Sequence, residues 1–482
     1  MNHQIRRTFL VVLVLFASLG IAATSIQVLQ APTLNADSRN SRTVLRAAEQ
    51  DRGPIIVQGT AIASSQKEEG SRRYTRHYNP GALYAPITGY FSAGFNSATG
   101  LESAMDTVLR GDSSALLTQR LKNMVTGAAR RGGGVELTVN PAIQQAAADG
   151  LGNRKGAVVA LDPKTGAVLA LYSSPSYDPN PLADLSTDAS QQAFEALEND
   201  PSDPLKNRAI AGDRYAPGST FKVLTSISLL EKGIVTADKP VESPVTTTLP
   251  GTATEVSNIE SAECGNGNPS FAEAFARSCN TTFIIQSQQL TNADLTDVGS
   301  RFGFGREMVI PMRVTESVIP TDMDASQLAM ASIGQYDVQV TPLEMAMVAQ
   351  AVANGGELMN PYLVAAVVDS DLQRHATTTP ASMGEATTPE VAATMKDLMV
   401  GVTSQPYGTG QTMALPGISV AAKTGTAEVG DMANAWTIGF APADDPKIAF
   451  AVVVEGDEND PVPHGGDVAG PIARSMLEVG LG

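Results

Sequence analysis

The residues whose types and spacing could do chemistry are two serines and two lysines. Ser219 and Lys222 lie in Ala216-Pro-Gly-Ser219-Thr-Phe-Lys222, which leads into the apolar run Val223–Lys232 with Gly233 as its stop. Three residues apart, they stack on one face of a helical turn, within reach of each other. A free serine is a poor nucleophile and needs an adjacent base. A buried lysine near another cation can lose its proton and serve as that base. The helix amino terminus adds backbone N–H groups for a developing oxyanion. Ser278-Cys279-Asn280 follows Ser219 by 59 residues (278 − 219). A hydroxyl there can shuttle a proton to a leaving group, and an amide can orient an acyl chain. Lys423-Thr424-Gly425-Thr426 reads as following one strand and preceding another. Its lysine supplies positive field for a substrate carboxylate, and Gly425 would let substrate approach the backbone closely.

Each motif alone is weak, and the chain carries a decoy of each. Ser64-Ser-Gln-Lys67 sits in a polar stretch beside Glu68 and Glu69, Ser38-Arg-Asn40 lies near the amino terminus, and Lys164-Thr-Gly166 reads as a hairpin turn. The order and setting of the three motifs, not any one of them, carry the reading as an active-site serine acyl-transfer enzyme.

The elements that must position these residues form an α/β pattern. Ala157–Leu161 and Ala167–Leu171 read as strands joined by a Pro/Gly turn. Ser270-Phe-Ala-Glu273 is a capping-box sequence, and Thr341-Pro-Leu-Glu344 starts a helix that ends at Asn354-Gly355-Gly356. Late strands are expected at Ile418–Ala422, Ala435–Phe440 and Ile448–Glu455, and a closing helix at Ala469–Leu481. Upstream, Pro54–Gly59 and Gly134–Val139 read as strands, and Asn140-Pro141 opens a short helix. Gly152, Asn153, Arg154 and Lys155 suggest a boundary near residue 150.

Composition bounds the function. A net charge of −17 argues against nucleic acid and otherwise reads as solubility. Two cysteines and four histidines, with no H-E-x-x-H helix, argue against a metal centre, and no cofactor is expected. Arg6 and Arg7 precede a stretch without charge until Asp37, long and apolar enough to cross a membrane with the amino terminus in the cytoplasm. A cleaved signal peptide, with Gly20-Ile21-Ala22 as a poor cleavage site, is the alternative. Either way the bulk of the chain is exported. The expected division is a cytoplasmic tail over 1–7, a transmembrane anchor over 8–29, a smaller mixed non-catalytic pedestal over 30–150 and a catalytic domain over 151–482.

The triple of Ser219/Lys222, Ser278/Asn280 and Lys423-Thr424-Gly425 is a signature of β-lactamases and penicillin-binding proteins. With Arg52-Gly53, Gly100-Leu-Glu102, Asn207-Arg-Ala209, Ile333-Gly-Gln335, Thr341-Pro-Leu343 and Ala435-Trp436, the chain resembles the class B penicillin-binding proteins. Within them it is most similar to the actinobacterial penicillin-binding protein A type. The resemblance spans nearly the whole chain. It implies a β-lactamase-like transpeptidase fold and a membrane-anchored D,D-transpeptidase. Such enzymes cross-link peptidoglycan stem peptides ending in D-Ala-D-Ala and are acylated by β-lactams. It implies Ser219 as nucleophile, Lys222 as base, Ser278 and Asn280 lining the pocket, Lys423 and Thr424 on the terminal carboxylate, and the Ser219 and Thr426 N–H groups as oxyanion hole. Asn434 departs from the family, where a His often precedes the Ala-Trp pair. A glycosyltransferase partner and division or elongation proteins are the implied neighbours. A carboxypeptidase or β-lactamase, with water as acceptor, and a β-lactam sensor are the rivals. The anchor and pedestal disfavour the first, and the short segment before the anchor disfavours the second.

An exported compartment permits disulfides. Cys279 lies within the Ser278/Asn280 motif and Cys264 in the loop before the helix that delivers it, so a bond between them is expected. Two unpaired thiols, with Cys279 a small buried residue, are the alternative, and sequence alone does not choose between the two.

Overall fold

The computed structural model describes residues 3–25, 48–116, 131–212, 214–258 and 263–482. The decoy Ser38-Arg-Asn40 and the expected stalk up to residue 47 lie outside them. Helix α1 (His3–Thr24) has a mean hydropathy of 2.0 over His3–Ala22 and is exposed along that length, so it is long and apolar enough to cross a membrane. It begins before the expected Thr8, with Arg6 and Arg7 in its first turns.

The chain then runs through β1 (Ile55–Val57), β2 (Thr60–Lys67), β3 (Tyr74–Tyr78) and β4 (Gly134–Leu137) to α2 (Pro141–Leu151). Next come β5 (Gly156–Leu161), β6 (Val168–Ser174), α3 (Lys222–Glu231), α4 (Phe271–Ala276), α5 (Asn280–Ser287) and α6 (Pro342–Ala353). A hairpin, β7 (Val364–Val368) and β8 (Arg374–Thr377), precedes α7 (Pro389–Ser404). The last elements are β9 (Ala421–Val429), β10 (Met432–Ala441), β11 (Ile448–Glu455) and α8 (Gly470–Leu481).

Five antiparallel strands in the order β9-β10-β11-β5-β6 form the catalytic sheet. Both faces are covered, so its strands lack the alternation of a half-exposed sheet. Val159 and Leu161 of β5 enter one core and Val158 and Ala160 the other. The second core is closed by α2 and α8, the first by α6, whose residues from Pro342 to Val352 are all buried. Asn140 caps α2 by accepting from Ala142 N at 2.9 Å, with Pro141 at the first position. Thr341 caps α6 by accepting from Glu344 N at 3.2 Å. The Thr341 N–H in turn donates to Ser317 Oγ at 3.1 Å. Ser270 likewise caps α4, while Glu273 pairs with Arg277 at 2.8 Å.

The expected boundary at 150/151 separates α2 from the sheet on which it packs. By packing, α2 belongs with β5, β6 and α8. The pedestal sheet runs β8-β7-β4-β1-β2-β3, so a hairpin from the expected catalytic range completes it. Pairing across more than two hundred residues leaves no local mark in sequence. The pedestal is pinned by Glu102, fully buried between Arg52 (2.9 Å) and Arg76 (2.6 Å). Burial alone would raise the Glu102 carboxyl, and the two guanidiniums outweigh it and hold it below its ordinary value. Arg52-Gly53 and Gly100-Leu-Glu102 are thus two parts of one ion network. Removing one partner from such a network costs about 3–5 kcal/mol.

Candidate active site

Ser219 lies in a 3-10 turn, Gly218–Phe221, that runs directly into α3. Side chains three apart eclipse in a 3-10 helix, so Ser219 and Lys222 share a face as their spacing requires. Gly218 makes this turn possible. Its φ is +54°, and a Cβ there would lie 2.7 Å from the Thr426 carbonyl oxygen of β9. Gly425 plays the matching part, since its Cβ would meet Pro217 O and Thr220 N, each at 3.1 Å. The close approach that Gly425 permits is therefore between β9 and the nucleophile turn, not between β9 and substrate. Ser219 is 9% exposed, and its hydroxyl makes no hydrogen bond among the described residues.

Lys222 is fully buried and reaches across to the Ser278 segment. Its Nζ donates to the Ser278 carbonyl at 2.8 Å and to Asn280 Oδ1 at 2.7 Å, with Ser278 Oγ at 3.3 Å. These bonds, and not one to Ser219, hold the lysine, a long-range arrangement that spacing along a helix does not express. Lys423 Nζ donates to Ser278 Oγ at 2.9 Å and to the Thr424 carbonyl at 2.8 Å. The Ser278 hydroxyl therefore bridges the two amines. Burial pushes Lys222 well below its ordinary value, and the neighbouring Lys423 charge adds to this. Burial alone lowers Lys423 to about 7. The downward shift moves Lys222 toward the uncharged amine with a free lone pair, the form a general base requires. The rings of Phe283 and Phe275 stand 5.2 Å and 5.7 Å from the two nitrogens and exclude water.

Ser278 occupies the left-handed region at φ +60° between α4 and α5, which turns both its carbonyl and its hydroxyl toward Lys222. Strain of this kind costs about 1–3 kcal/mol and must be held by its surroundings. Here Cys279 N donates to Ala274 O at 2.9 Å, and a disulfide joins Cys279 to Cys264 with the Cα atoms 6.1 Å apart. Asn280 Nδ2 donates to Ser257 O at 3.2 Å, and Thr281 N to Asn258 Oδ1 at 3.0 Å, so the loop before Cys264 orients the amide.

Lys423-Thr424-Gly425-Thr426 lies inside β9 and does not follow a strand. The expected Ile418–Ala422 strand starts only at Ala421 and continues through the motif to Val429. As the edge of the sheet, β9 has one side without a strand neighbour, which suits it to an extended peptide. Sequence reasoning assigned no part to Thr409, whose hydroxyl lies 2.5 Å from that of Thr424, or to Gly334. The Gly334 carbonyl accepts from Gly218 N at 2.9 Å, so the Ile333-Gly-Gln335 motif backs the nucleophile turn. The decoys stay apart from this site. Ser64 and Lys67 lie on β2, and Lys164 pairs with exposed Asp445 at 2.8 Å.

A serine on a helix-opening turn, a buried lysine pushed below its ordinary value, a bridging hydroxyl and an edge strand carrying a second amine define a serine acyl-transferase. The comparisons make the class specific. Residues 156–478 match the family described as the penicillin binding protein transpeptidase domain, and residues 52–135 that described as the penicillin binding protein A dimerisation domain. The chain belongs to the penicillin-binding protein transpeptidases. It is 42% identical to the peptidoglycan D,D-transpeptidase PbpA of Mycolicibacterium smegmatis, over 100% of this chain and 99% of that relative. It is 41% identical to PbpA of Mycobacterium tuberculosis with the same coverage. The ceftriaxone acyl-enzyme of penicillin-binding protein A from M. tuberculosis superposes with a TM-score of 0.86 at 40% identity, over 91% of this chain and 100% of that one.

Proposed function

We propose that this chain is a peptidoglycan D,D-transpeptidase that works through an acyl-enzyme on Ser219. The observation that carries the reading is the fully buried Lys222, placed one 3-10 turn from Ser219, tied to Ser278 and Asn280, and pushed well below its ordinary value by burial and by Lys423. In acylation Ser219 Oγ passes its proton to the Lys222 lone pair and attacks the carbonyl of the penultimate D-Ala. The Ser219 and Thr426 N–H groups stabilise the oxyanion. When the C–N bond breaks, the departing D-Ala amine takes a proton relayed from Lys222 through Ser278 Oγ. An acceptor amine then attacks the ester, a proton returns to Ser219 Oγ, and a new amide forms. Lys423, Thr424 and Thr409 hold the terminal carboxylate of the donor, and Asn280 flanks its acyl chain.

We read α1 as a single-pass anchor that keeps the catalytic domain on the outer side of the membrane. The tail over 1–7, the anchor over 8–29 and a pedestal that now includes β7 and β8 follow from that reading. A separate glycosyltransferase would supply the glycan strands, in the company of division or elongation proteins. β-Lactams mimic the donor and acylate Ser219.

The test is covalent labelling by a fluorescent penicillin. Ser219→Ala abolishes it and Ser64→Ala leaves it unchanged. Persistent labelling of the Ser219 variant overturns the assignment. Rapid hydrolysis of penicillin by the wild-type chain moves the activity to a β-lactamase.

A further inference from the structure

We infer that Tyr215 is a positioning residue for acylation: held by Glu455 and Arg208, it fixes the nucleophile turn against β9 and β10 and so sets the spacing of the two N–H groups that meet the oxyanion. The inference rests on the acyl-enzyme reading above, because that reading places one N–H on Ser219 and the other on Thr426. The two belong to different elements, and an oxyanion hole works only when its donors are held in place before the charge develops.

Tyr215 stands four residues before Ser219 and touches three elements. Its N–H donates to Val340 O at 2.9 Å, and Val340 N donates back to its carbonyl at 2.8 Å. This bridge ties the lead-in of the turn to the residue before the cap of α6. The Tyr215 ring stands nearly perpendicular to that of Trp436, with centroids 5.8 Å apart. Trp436 is fully buried on β10 and pairs with Gly425. The Tyr215 hydroxyl donates to Glu455 Oε1 at 2.7 Å. Glu455 ends β11 and pairs with Asn434, which pairs in turn with Ala427. Ring and hydroxyl therefore grip the rungs of Gly425 and Ala427, on either side of the rung that carries Thr426. Packing on Trp436 alone would be served as well by a phenylalanine. The hydroxyl is what extends the grip to β11.

The acceptor for that hydroxyl is itself held. Glu455 Oε1 also accepts from Arg208 Nε at 3.0 Å. Arg208 is 2% exposed, and its other two nitrogens donate to the carbonyls of Asp203 at 3.1 Å and Ser202 at 2.9 Å. Its backbone N–H donates to Ser173 Oγ of β6 at 2.9 Å. A planar guanidinium with all three nitrogens committed is a rigid post, and a hydrogen bond to a carboxylate so fixed is among the stronger kinds. The Asn207-Arg-Ala209 motif thereby reaches the nucleophile turn through Glu455 and Tyr215.

The experiment is acylation of the full chain by a fluorescent penicillin over a range of concentrations in stopped flow, which separates the limiting rate from the half-saturating concentration. A misplacement near 1 Å costs about 10²-fold, and losing the hydroxyl while the ring stays permits about half that shift. Tyr215→Phe should therefore lower the limiting rate about 10-fold and leave the half-saturating concentration within about 3-fold of wild type. One oxygen of Glu455 accepts both bonds, so Glu455→Gln keeps an acceptor for both and should acylate within about 3-fold of the wild-type rate. Glu455→Leu keeps none and should be as slow as Tyr215→Phe. Wild-type limiting rates in Tyr215→Phe and Glu455→Leu overturn the inference, whatever stability either loses in denaturant titrations, because a merely structural role shows in stability alone. So does a change confined to the half-saturating concentration. Glu455→Gln as slow as Glu455→Leu also overturns it, since the charge and not the bond is then the cause. Failure of the underlying reading shows differently, as no acylation of the wild-type chain, and takes the inference with it. Glu455 is only partly buried, so its variants carry the test if Tyr215→Phe fails to fold.

Discussion

Gly334 has no chemistry of its own, yet the structure makes acylation depend on it. Its φ is +76°, and an alanine Cβ would lie 2.7 Å from the Gly218 carbonyl carbon and 2.8 Å from Phe221 Cβ, closer still to the Gly218 oxygen. Ordinary contact begins near 3.4 Å, so the nucleophile turn must move by at least 0.7 Å (3.4 − 2.7). It cannot retreat freely, because Gly218 already abuts the Thr426 carbonyl on its other side. A misplacement near 1 Å at a reacting group costs about 10²-fold in rate. Gly334→Ala should therefore slow acylation by a fluorescent penicillin about 100-fold, read by stopped flow. Left-handed strain adds about 1–2 kcal/mol of destabilisation. Gly233→Ala separates the two effects. That glycine has φ +66° with nothing within 4 Å of the added methyl, so the variant should lose stability and acylate normally. Acylation of Gly334→Ala within about 3-fold of wild type, far short of the misplacement penalty, would refute the argument.

Further expectations follow from the buried groups. Lys423 is charged below about 7 and loses its proton above it, so the second-order rate of acylation should fall as pH rises through that value; a rate that climbs steadily through it contradicts the assignment. Glu344 is fully buried, and burial raises it from 4.5 to about 8 against smaller opposing contributions from Arg306 and Ser317. Between those values the folded state holds a proton that the unfolded chain releases, so this group's contribution to stability falls as pH rises, by about 1 kcal/mol per pH unit, and levels off above the folded value. Glu344→Gln should flatten that slope in denaturant titrations and stabilise the protein in mild alkali, whereas an unchanged slope would exclude the carboxyl as its source. Replacing Cys264 and Cys279 by alanine opens a 15-residue loop, which should cost about 3 kcal/mol in unfolding. It should also slow acylation, since Ser278 would lose a restraint; full stability and full rate in the variant would show the bond to be incidental.

What was legible in the sequence was local or punctuated. Ser219 and Lys222 are linked by spacing within one turn, and Pro217-Gly218 and Gly233 mark where the turn starts and the helix stops. The contacts that make the lysine a base were not legible. They run from Lys222 to residues 278 and 280 and from Lys423 to Ser278, and only the folded chain sets these distances. The strand carrying Lys423 was placed too early because Thr424-Gly425-Thr426 has a turn-like composition. In the fold those residues pair along β10 as regular strand, with Gly425 there to admit the nucleophile turn. Packing across the expected pedestal boundary was not legible for a similar reason. Residues 152–155 form the turn between α2 and β5, while β7 and β8 return to the pedestal sheet from far along the chain.

The most direct test of the central claim is intact-mass analysis of the purified chain during incubation with benzylpenicillin, followed by peptide mapping. The account predicts one adduct, of the mass of the whole antibiotic, on the peptide containing Ser219, persisting after free drug is removed because the site is built to await an amine and not water. An adduct on another residue, no adduct at all, or one that disappears within seconds of drug removal would contradict it.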